Sequence, residues 1–508
     1  MPRSSYLDDK TFRVLLALSL FLILAGSRAA LIRFAGNATP YMDEWDGDWG
    51  GLLRPYLDGT LTLDALAAPF NEHRILFTRL LVLSIFKLSG YWDVALQTIV
   101  NAVFGSALLV AVAFALARVL KGAPAMAAVV APCLVNVVPF AFDNILLGFN
   151  THFYLLPALS LAGLWLAKDS RAWSPRWAAG AACGAASFFC MASGALTLAA
   201  IAATHGVQMA CGRRTGVREG LGIAALVAAS VLLVTFVPHV PDSDAFRARS
   251  LGEFLSALAS LACWPGGAVL GLLLPLPSAL FCARAFADRP ALDDPRWFNV
   301  AALFWFAAQI AALAFGRAQA VPQSRYFDTL VLGLTIHFVS ALWLVQREAL
   351  RAGRRKFAAF ILAAWIAVVG VGLPRAERHL PRQIETWRET VERAGASVRF
   401  YLATGDGSSL DPRSGIVLPY PQASRLRNAL DDRHARAALP PELTDRAPAR
   451  NAVEACKQRF LDLAPAWLGL GVLTLLAGFF GRRSFADGAR AAPEDAVSPI
   501  AAGWQAPA

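Results

Sequence analysis

The stretch Asn71-Glu-His-Arg-Ile-Leu-Phe-Thr-Arg-Leu-Leu-Val-Leu-Ser-Ile-Phe-Lys-Leu-Ser-Gly90 decides how the whole chain threads. From Ile75 to Gly90 it is apolar, yet it is only 16 residues long and carries Arg79 and Lys87. A bilayer crossing needs about 20 apolar residues. Runs nearer that length recur at 14–34, 94–117, 123–141, 151–167, 177–192, 193–210, 220–238, 254–283, 297–316, 329–346, 357–373 and 465–481, about twelve in all. If 75–90 stays out of the membrane, the basic clusters all fall on the side of the N-terminal Arg3, Lys10 and Arg13. These clusters are Arg118/Lys121, Lys168/Arg171/Arg176, Arg213/Arg214/Arg218, Arg284/Arg289, Arg347 to Lys356 and Arg482/Arg483. That side is then cytoplasmic, because short cytoplasmic loops collect Lys and Arg. If 75–90 crossed, every later Arg-rich loop would face outward. The segment therefore reads as an interfacial helix, with Arg79 and Lys87 reaching for the headgroups.

Composition agrees with this threading. Hydrophobic residues make up 56% of 508 positions and charged residues 16%, which argues against a soluble enzyme and for an all-α polytopic membrane protein. The net charge of +11 sits in short clusters between apolar runs, so the lipid bilayer is an expected partner and nucleic acid is not. Val14 to Ile32 is longer than a signal-peptide core and no small-residue cleavage site follows it, so it reads as a retained first span. The seven cysteines form no C-x-x-C pair and no disulfide framework.

The threading divides the chain into a transmembrane domain over 1–373, a soluble outer segment over 374–464, a last span over 465–483 and a tail over 484–508. The tail is rich in Ala and Pro and reads as disordered and cytoplasmic. Within the first unit, 35–93 is a long outer loop with seven carboxylates, Asp43, Glu44, Asp46, Asp48, Asp58, Asp64 and Glu72. The outer face also receives the turn Asp143 to Asn150, the loops Pro238 to Glu253 and Gly316 to Asp328, and the segment 374–464, which has an amphipathic helical pattern from Pro381 to Tyr401. Water-soluble chemistry can converge only there.

An inside N-terminus, one span, a long outer loop opening on Asp43-Glu44 and the strip Asn71 to Gly90 together resemble the N-terminal module of the GT-C membrane glycosyltransferases. Among these the chain is similar to the protein O-mannosyltransferases and the lipid A aminoarabinose transferases over about residues 10–170. His73-Arg74 stands where those families show a Pro-Pro or Pro-Leu pair. The chain also resembles an uncharacterised bacterial group carrying Asp-Asn-x-x-x-Gly-Phe-Asn-Thr-His-Phe-Tyr, here Asp143 to Tyr154, and Ser-Arg-Tyr, here Ser324 to Tyr326. The resemblance implies a GT-C-like fold of about twelve transmembrane helices with interfacial helices in the first outer loop and a small C-terminal periplasmic domain. It further implies a bacterial inner-membrane enzyme that takes a monosaccharide from a polyprenyl-phosphate donor and passes it, on the periplasmic side, to an envelope glycan, lipid or protein.

Such chemistry needs a carboxylate to take the acceptor's proton and cationic donors for the departing lipid phosphate. The resemblance aligns Asp43 or Glu44 with the base; solvated turn or cap residues are the alternative. Arg317, Arg325 and Tyr326, with His73 and Arg74, are candidates for the donor phosphate, against simple snorkelling of the arginines. Asp46, Asp143, Asn150 and His152 are candidates for the sugar or acceptor pocket, with helix capping the competing role for Asn150. Tyr41, Trp45 and Trp49 suit a sugar platform less well than an interfacial aromatic belt. No cofactor is required, although the D-x-D spacing of Asp46 and Asp48 would suit a divalent cation, Mg or Mn. Two other classes stay open: a lipid-linked glycan flippase or polymerase, which usually lines its spans with charge, and a non-catalytic membrane assembly protein.

Overall fold

A computed structural model describes residues 10–348, 352–411, 415–444 and 452–488; Arg3, Arg351 and the expected tail beyond 488 lie outside the described residues. In chain order the main helices are α1 Lys10–Ala35, α2 Leu76–Ser89, α3 Val94–Ala117, α4 Gly122–Val135, α5 Thr151–Ala167, α6 Pro175–Ser187, α7 Leu196–Ala210, α8 Val217–Thr235, α9 Leu251–Ala262, α10 Leu276–Asp288, α11 Arg296–Gly316, α12 Phe327–Arg347, α13 Ala352–Glu377, α14 Leu380–Thr404, α15 Ala452–Asp462 and α16 Ala464–Gly488. The described residues contain no strand.

Among the described residues seven helical stretches are long and apolar enough to cross a membrane, one of them Gly267–Asp288, which ends in α10, and eight if α15 and the start of α16, bent by 56°, count as one. Other expected spans are shorter: α4 has 14 residues, α5 17, α6 13 and α7 15. Local chemistry sets these limits. Pro132 removes a helix N–H and Pro139 follows, so α4 stops at Val135 short of the expected 141. The run 254–283 is not one helix either: Pro265, Gly266 and Gly267, the last with φ +71°, interrupt it between α9 and α10.

Five of the basic clusters, those around Lys121, Lys168, Arg214, Arg289 and Arg347, gather at one end of the bundle. Gln346 bonds both the N–H and the carbonyl of Lys121, Arg214 donates to the Ser170 and Lys168 carbonyls, Arg213 reaches the Arg289 carbonyl, and Arg296 and Arg347 share Asp288. Helix α2 stays at the opposite end. Ile75 at its start lines a cleft there, and just past Gly90 the Trp92 N–H donates to the Ala438 carbonyl at 2.7 Å. Arg79 does not snorkel: it is buried, and its guanidinium donates to the Ala65, Leu66 and Ala68 carbonyls, closing the C-terminus of the short helix Leu63–Ala67. Lys87 lies over the Tyr56 ring.

The first loop and the C-terminal polar segment share one core. Trp45, Trp49, Leu52, Val82 and Trp92 pack with Val398, Tyr401, Tyr420, Leu426 and Leu430. Trp45 and Trp49 are therefore core residues, not an interfacial belt. The bundle core is separate and centres on Leu116, Trp297, Trp305 and Ala301. Helices α1 and α16 run against each other so closely that a Cβ on Gly26 would stand 2.8 Å from the Leu468 nitrogen, and one on Gly471 2.8 Å from the Ser19 carbonyl.

A buried polar cluster pins α15 to the start of α3. Lys457 donates to Asp93 at 2.8 Å and to the Tyr91 hydroxyl at 2.7 Å and pairs with Glu454 at 2.8 Å, while Asp93 caps α3 by accepting from the Leu96 N–H at 2.9 Å. The Lys457 and Asp93 side chains are 5% and 1% exposed, so removing one leaves the other charge buried. Lys457→Met is expected to destabilise the protein by about 3–5 kcal/mol, measured as a fall in the thermal midpoint in lipid nanodiscs.

Candidate active site

Tight backbone geometry brings distant segments to one cleft. The turn Phe70 to His73 is closed by the Phe70 N–H to the His73 carbonyl (2.7 Å) and the reverse bond (3.0 Å), with Asn71 at φ +49°. Asn tolerates that left-handed conformation through local side-chain hydrogen bonding. Between α6 and α7 the chain doubles back so closely that a Cβ on Gly194 would lie 2.1 Å from the Ser187 carbonyl. The Asp143–Asn150 turn is stitched to Ser324–Tyr326: Asn144 Nδ2 donates to the Arg325 carbonyl and to Asp328, both at 2.9 Å, and Ser324 Oγ donates to the Phe140 carbonyl at 3.1 Å.

These segments enclose a cleft of about 400 Å³. Asp43, Glu72, His73, Asn150, His152, Arg247, Arg317, Arg325 and Tyr326 form its polar lining, and Phe70, Met191, Leu196, Val234, Leu313 and Phe315 are among its apolar residues. Val234 and Phe315 are about half exposed, so the apolar wall runs out onto the flank of the bundle.

Two charges in the cleft stand unpaired. The Asp43 carboxylate has no hydrogen-bond or ion-pair partner among the described residues; burial raises its pKa, Arg325 draws it back and Asp46 adds to the rise. Arg325 is held by Gln323 Oε1 at 3.0 and 2.7 Å and lies 5.6 Å from the centre of the Tyr326 ring, with no carboxylate within 4 Å among the described residues. The other cations are neutralised: Arg317 pairs with Glu72 at 2.5 Å, and Arg247 with Asp244 at 2.8 Å. His73 accepts from the Ala192 N–H, and burial depresses its pKa to about 4, so it is neutral at physiological pH.

Other sequence candidates stand elsewhere. Asp46 accepts from the Tyr420 hydroxyl at 2.6 Å and pairs with Arg425 at 2.5 Å, so it holds the C-terminal segment in place of lining a pocket. Asp48 is fully buried near Arg79 and Trp92, and neither of its oxygens makes a hydrogen bond of ordinary geometry among the described residues. The two carboxylates diverge because Trp45–Leu53 is a π-helix, on which residues two apart point to opposite sides. Among the described residues no group of three or more His, Cys, Asp or Glu side chains is placed to hold a metal ion. Arg74 donates to the Ala67 carbonyl at 2.8 Å. Asp143 lies behind the cleft, its pKa raised by burial and drawn down by Arg325. Asn150 makes no side-chain cap to α5; its amide donates to the Asp143 carbonyl at 3.2 Å. Arg247 was not singled out from sequence, and Glu72 was read only as one of the seven carboxylates of the first outer loop; the signal for both was charge in a loop on the shared outer face.

Glu44 braces the loop. Its carboxylate accepts from the Tyr41 N–H at 2.7 Å and the Phe149 N–H at 3.2 Å, tying the first loop to the Asp143–Asn150 turn. Burial pushes its pKa from 4.5 up to about 7 in spite of those bonds. The folded protein thus binds this proton more tightly than the unfolded chain does. The stability it contributes is full below about pH 4.5 and is lost as pH rises through about 7, a change of about 3 kcal/mol. Thermal unfolding from about pH 5 to 8 should show that decline, and Glu44→Gln should flatten it.

No protein-family model, no curated protein and no solved structure matches this chain.

Proposed function

We propose that this protein is a GT-C-type membrane glycosyltransferase that moves a monosaccharide from a polyprenyl-phosphate donor to a cell-envelope acceptor at the periplasmic face of a bacterial inner membrane. The observation that carries the reading is the pair of unpaired opposite charges, Asp43 and Arg325, facing one cleft without touching. In this reading Asp43 takes the proton of the attacking acceptor, and Arg325, backed by the Tyr326 ring, holds the departing phosphate. The apolar wall suits an isoprenoid chain entering from the bilayer. The segment 374–464, joined to the first loop through Asp46, caps the site and helps to select the acceptor.

The test is transfer of radiolabelled sugar from a panel of polyprenyl-phosphate donors by purified protein in lipid vesicles, with a crude envelope extract as acceptor. Labelled product from at least one donor is the expected result. One observation favours a lipid-linked glycan flippase instead: Arg28, in the last third of α1, is 2% exposed and shares a small cavity with Asp328 and Tyr154. Label that crosses the bilayer without being transferred would replace the transferase reading with that one.

A further inference from the structure

His73 and His152 come from different parts of the chain, and their rings stand 6.3 Å apart on the cleft wall. Their backbone partners fix opposite tautomers. The Ala192 N–H donates to His73 Nδ1 at 3.3 Å, so that nitrogen carries a lone pair and the neutral ring keeps its proton on Nε2. His152 Nδ1 lies 3.1 Å from the Phe149 carbonyl, which can only accept, so Nδ1 holds the proton and Nε2 the lone pair. Neither Nε2 makes a hydrogen bond of ordinary geometry among the described residues, and the Glu72 backbone also lies close to the His73 ring. The cleft wall therefore carries one N–H donor and one nitrogen acceptor on rings 6.3 Å apart, where Arg317 and Arg247 are already committed to carboxylates.

We propose that the His73–His152 pair recognises a hydroxyl of a carbohydrate or polyol, on the transferred sugar or on its acceptor, an inference that rests on the transferase reading. A hydroxyl oxygen both donates and accepts, so one group satisfies both ring nitrogens. An ammonium only donates and would set N–H against the His73 N–H. A phosphodiester only accepts and would set oxygen against the His152 lone pair. The pair thus selects by hydrogen-bond polarity, and a phosphate is left to Arg325. A site built to bond a hydroxyl rejects ligands that lack one, because its own buried polar atoms would go unmatched.

The experiment titrates the full-length protein in lipid nanodiscs, with nitrogen-15-labelled histidine, against methyl glucopyranoside, glycerol, dimethyl phosphate and methylammonium. The glycoside is expected to shift both Nε2 resonances saturably, while dimethyl phosphate leaves His152 Nε2 unmoved and methylammonium leaves His73 Nε2 unmoved. His152→Phe keeps a ring but no lone pair and should weaken the glycoside about tenfold; His73→Gln keeps a donor and should stay within about threefold of wild type. A glycerol response equal to that of the glycoside assigns the site to any alcohol, and silence assigns it to ring sugars. The proposal is overturned if the glycoside moves neither resonance, if dimethyl phosphate moves both, or if His152→Phe binds the glycoside as wild type does. Alcohol binding in a protein that transfers no sugar would instead sink the transferase reading alone. Transfer by a protein whose histidines ignore every alcohol would sink only this inference.

Discussion

Asp43→Asn is expected to lower glycosyl transfer by about 10²–10⁴-fold, the usual contribution of a positioned general base, while leaving the thermal midpoint within a degree or two of wild type. The substitution is nearly isosteric, and the carboxylate it removes makes no hydrogen bond or ion pair among the described residues, so no fold contact is lost. Only the ionised carboxylate accepts a proton. Burial raises the Asp43 pKa, so transfer should climb with pH along a limb displaced above the ordinary carboxylate range. Arg325 lowers that pKa, and its removal should push the limb higher still. A pH–rate profile in vesicles reads both. A limb at the ordinary aspartate position, or Asp43→Asn retaining more than a tenth of wild-type turnover, would count against Asp43 as the base.

Arg325→Ala is expected to reduce turnover by about 10²–10³-fold, the range seen when one donor to a developing anion is removed. A polyprenyl-phosphate sugar carries a phosphodiester, and its departure creates a phosphate monoester with an additional negative charge. The guanidinium therefore gains most of its interaction in the transition state, and the loss should fall on kcat more than on KM. Arg325→Lys keeps the charge but not the planar fork and should recover only part of the rate. The position is built for this comparison: the Arg325 carbonyl is fixed by Asn144 and the side chain by Gln323, so substitution leaves the backbone anchored. Equal losses for the Ala and Lys variants would show that fork geometry, not charge alone, is what the site uses.

Much of the cleft could be read from sequence for a topological reason. Once Ile75–Gly90 is kept from crossing, the ends of the later helices alternate, and Asp43, His73, Asn150, His152, Arg317, Arg325 and Tyr326 all fall on the same end. Those residues have few other places to meet. What stayed hidden depends on partners remote in sequence. Asp46 looks like any pocket carboxylate until Tyr420 and Arg425 are seen to occupy it. Arg79 looks like a snorkelling cation until the backbone carbonyls of a five-residue helix are found around it. Trp45 and Trp49 look interfacial because an aromatic count does not distinguish a headgroup belt from a core, and here Trp92 covers them at 5.4 and 6.3 Å between ring centres. The D-x-D pair misleads because the spacing presumes a turn, whereas the π-helix sends alternate residues apart.

The contact between α1 and α16 sets the order in which this molecule can come together. Its first helix emerges from the ribosome while its last partner is still untranslated, and at about 5–20 residues per second the wait is on the order of a minute. Throughout that interval the α1 face around Gly26, shaped for another helix backbone, has only lipid or a chaperone against it. Asp46 likewise waits for Tyr420 and Arg425, so the outer loop cannot take its final shape on a nascent chain. Truncated products released during synthesis would therefore lack both the α1–α16 contact and the brace on the loop, and membrane quality control has a ready means of telling them from the finished protein.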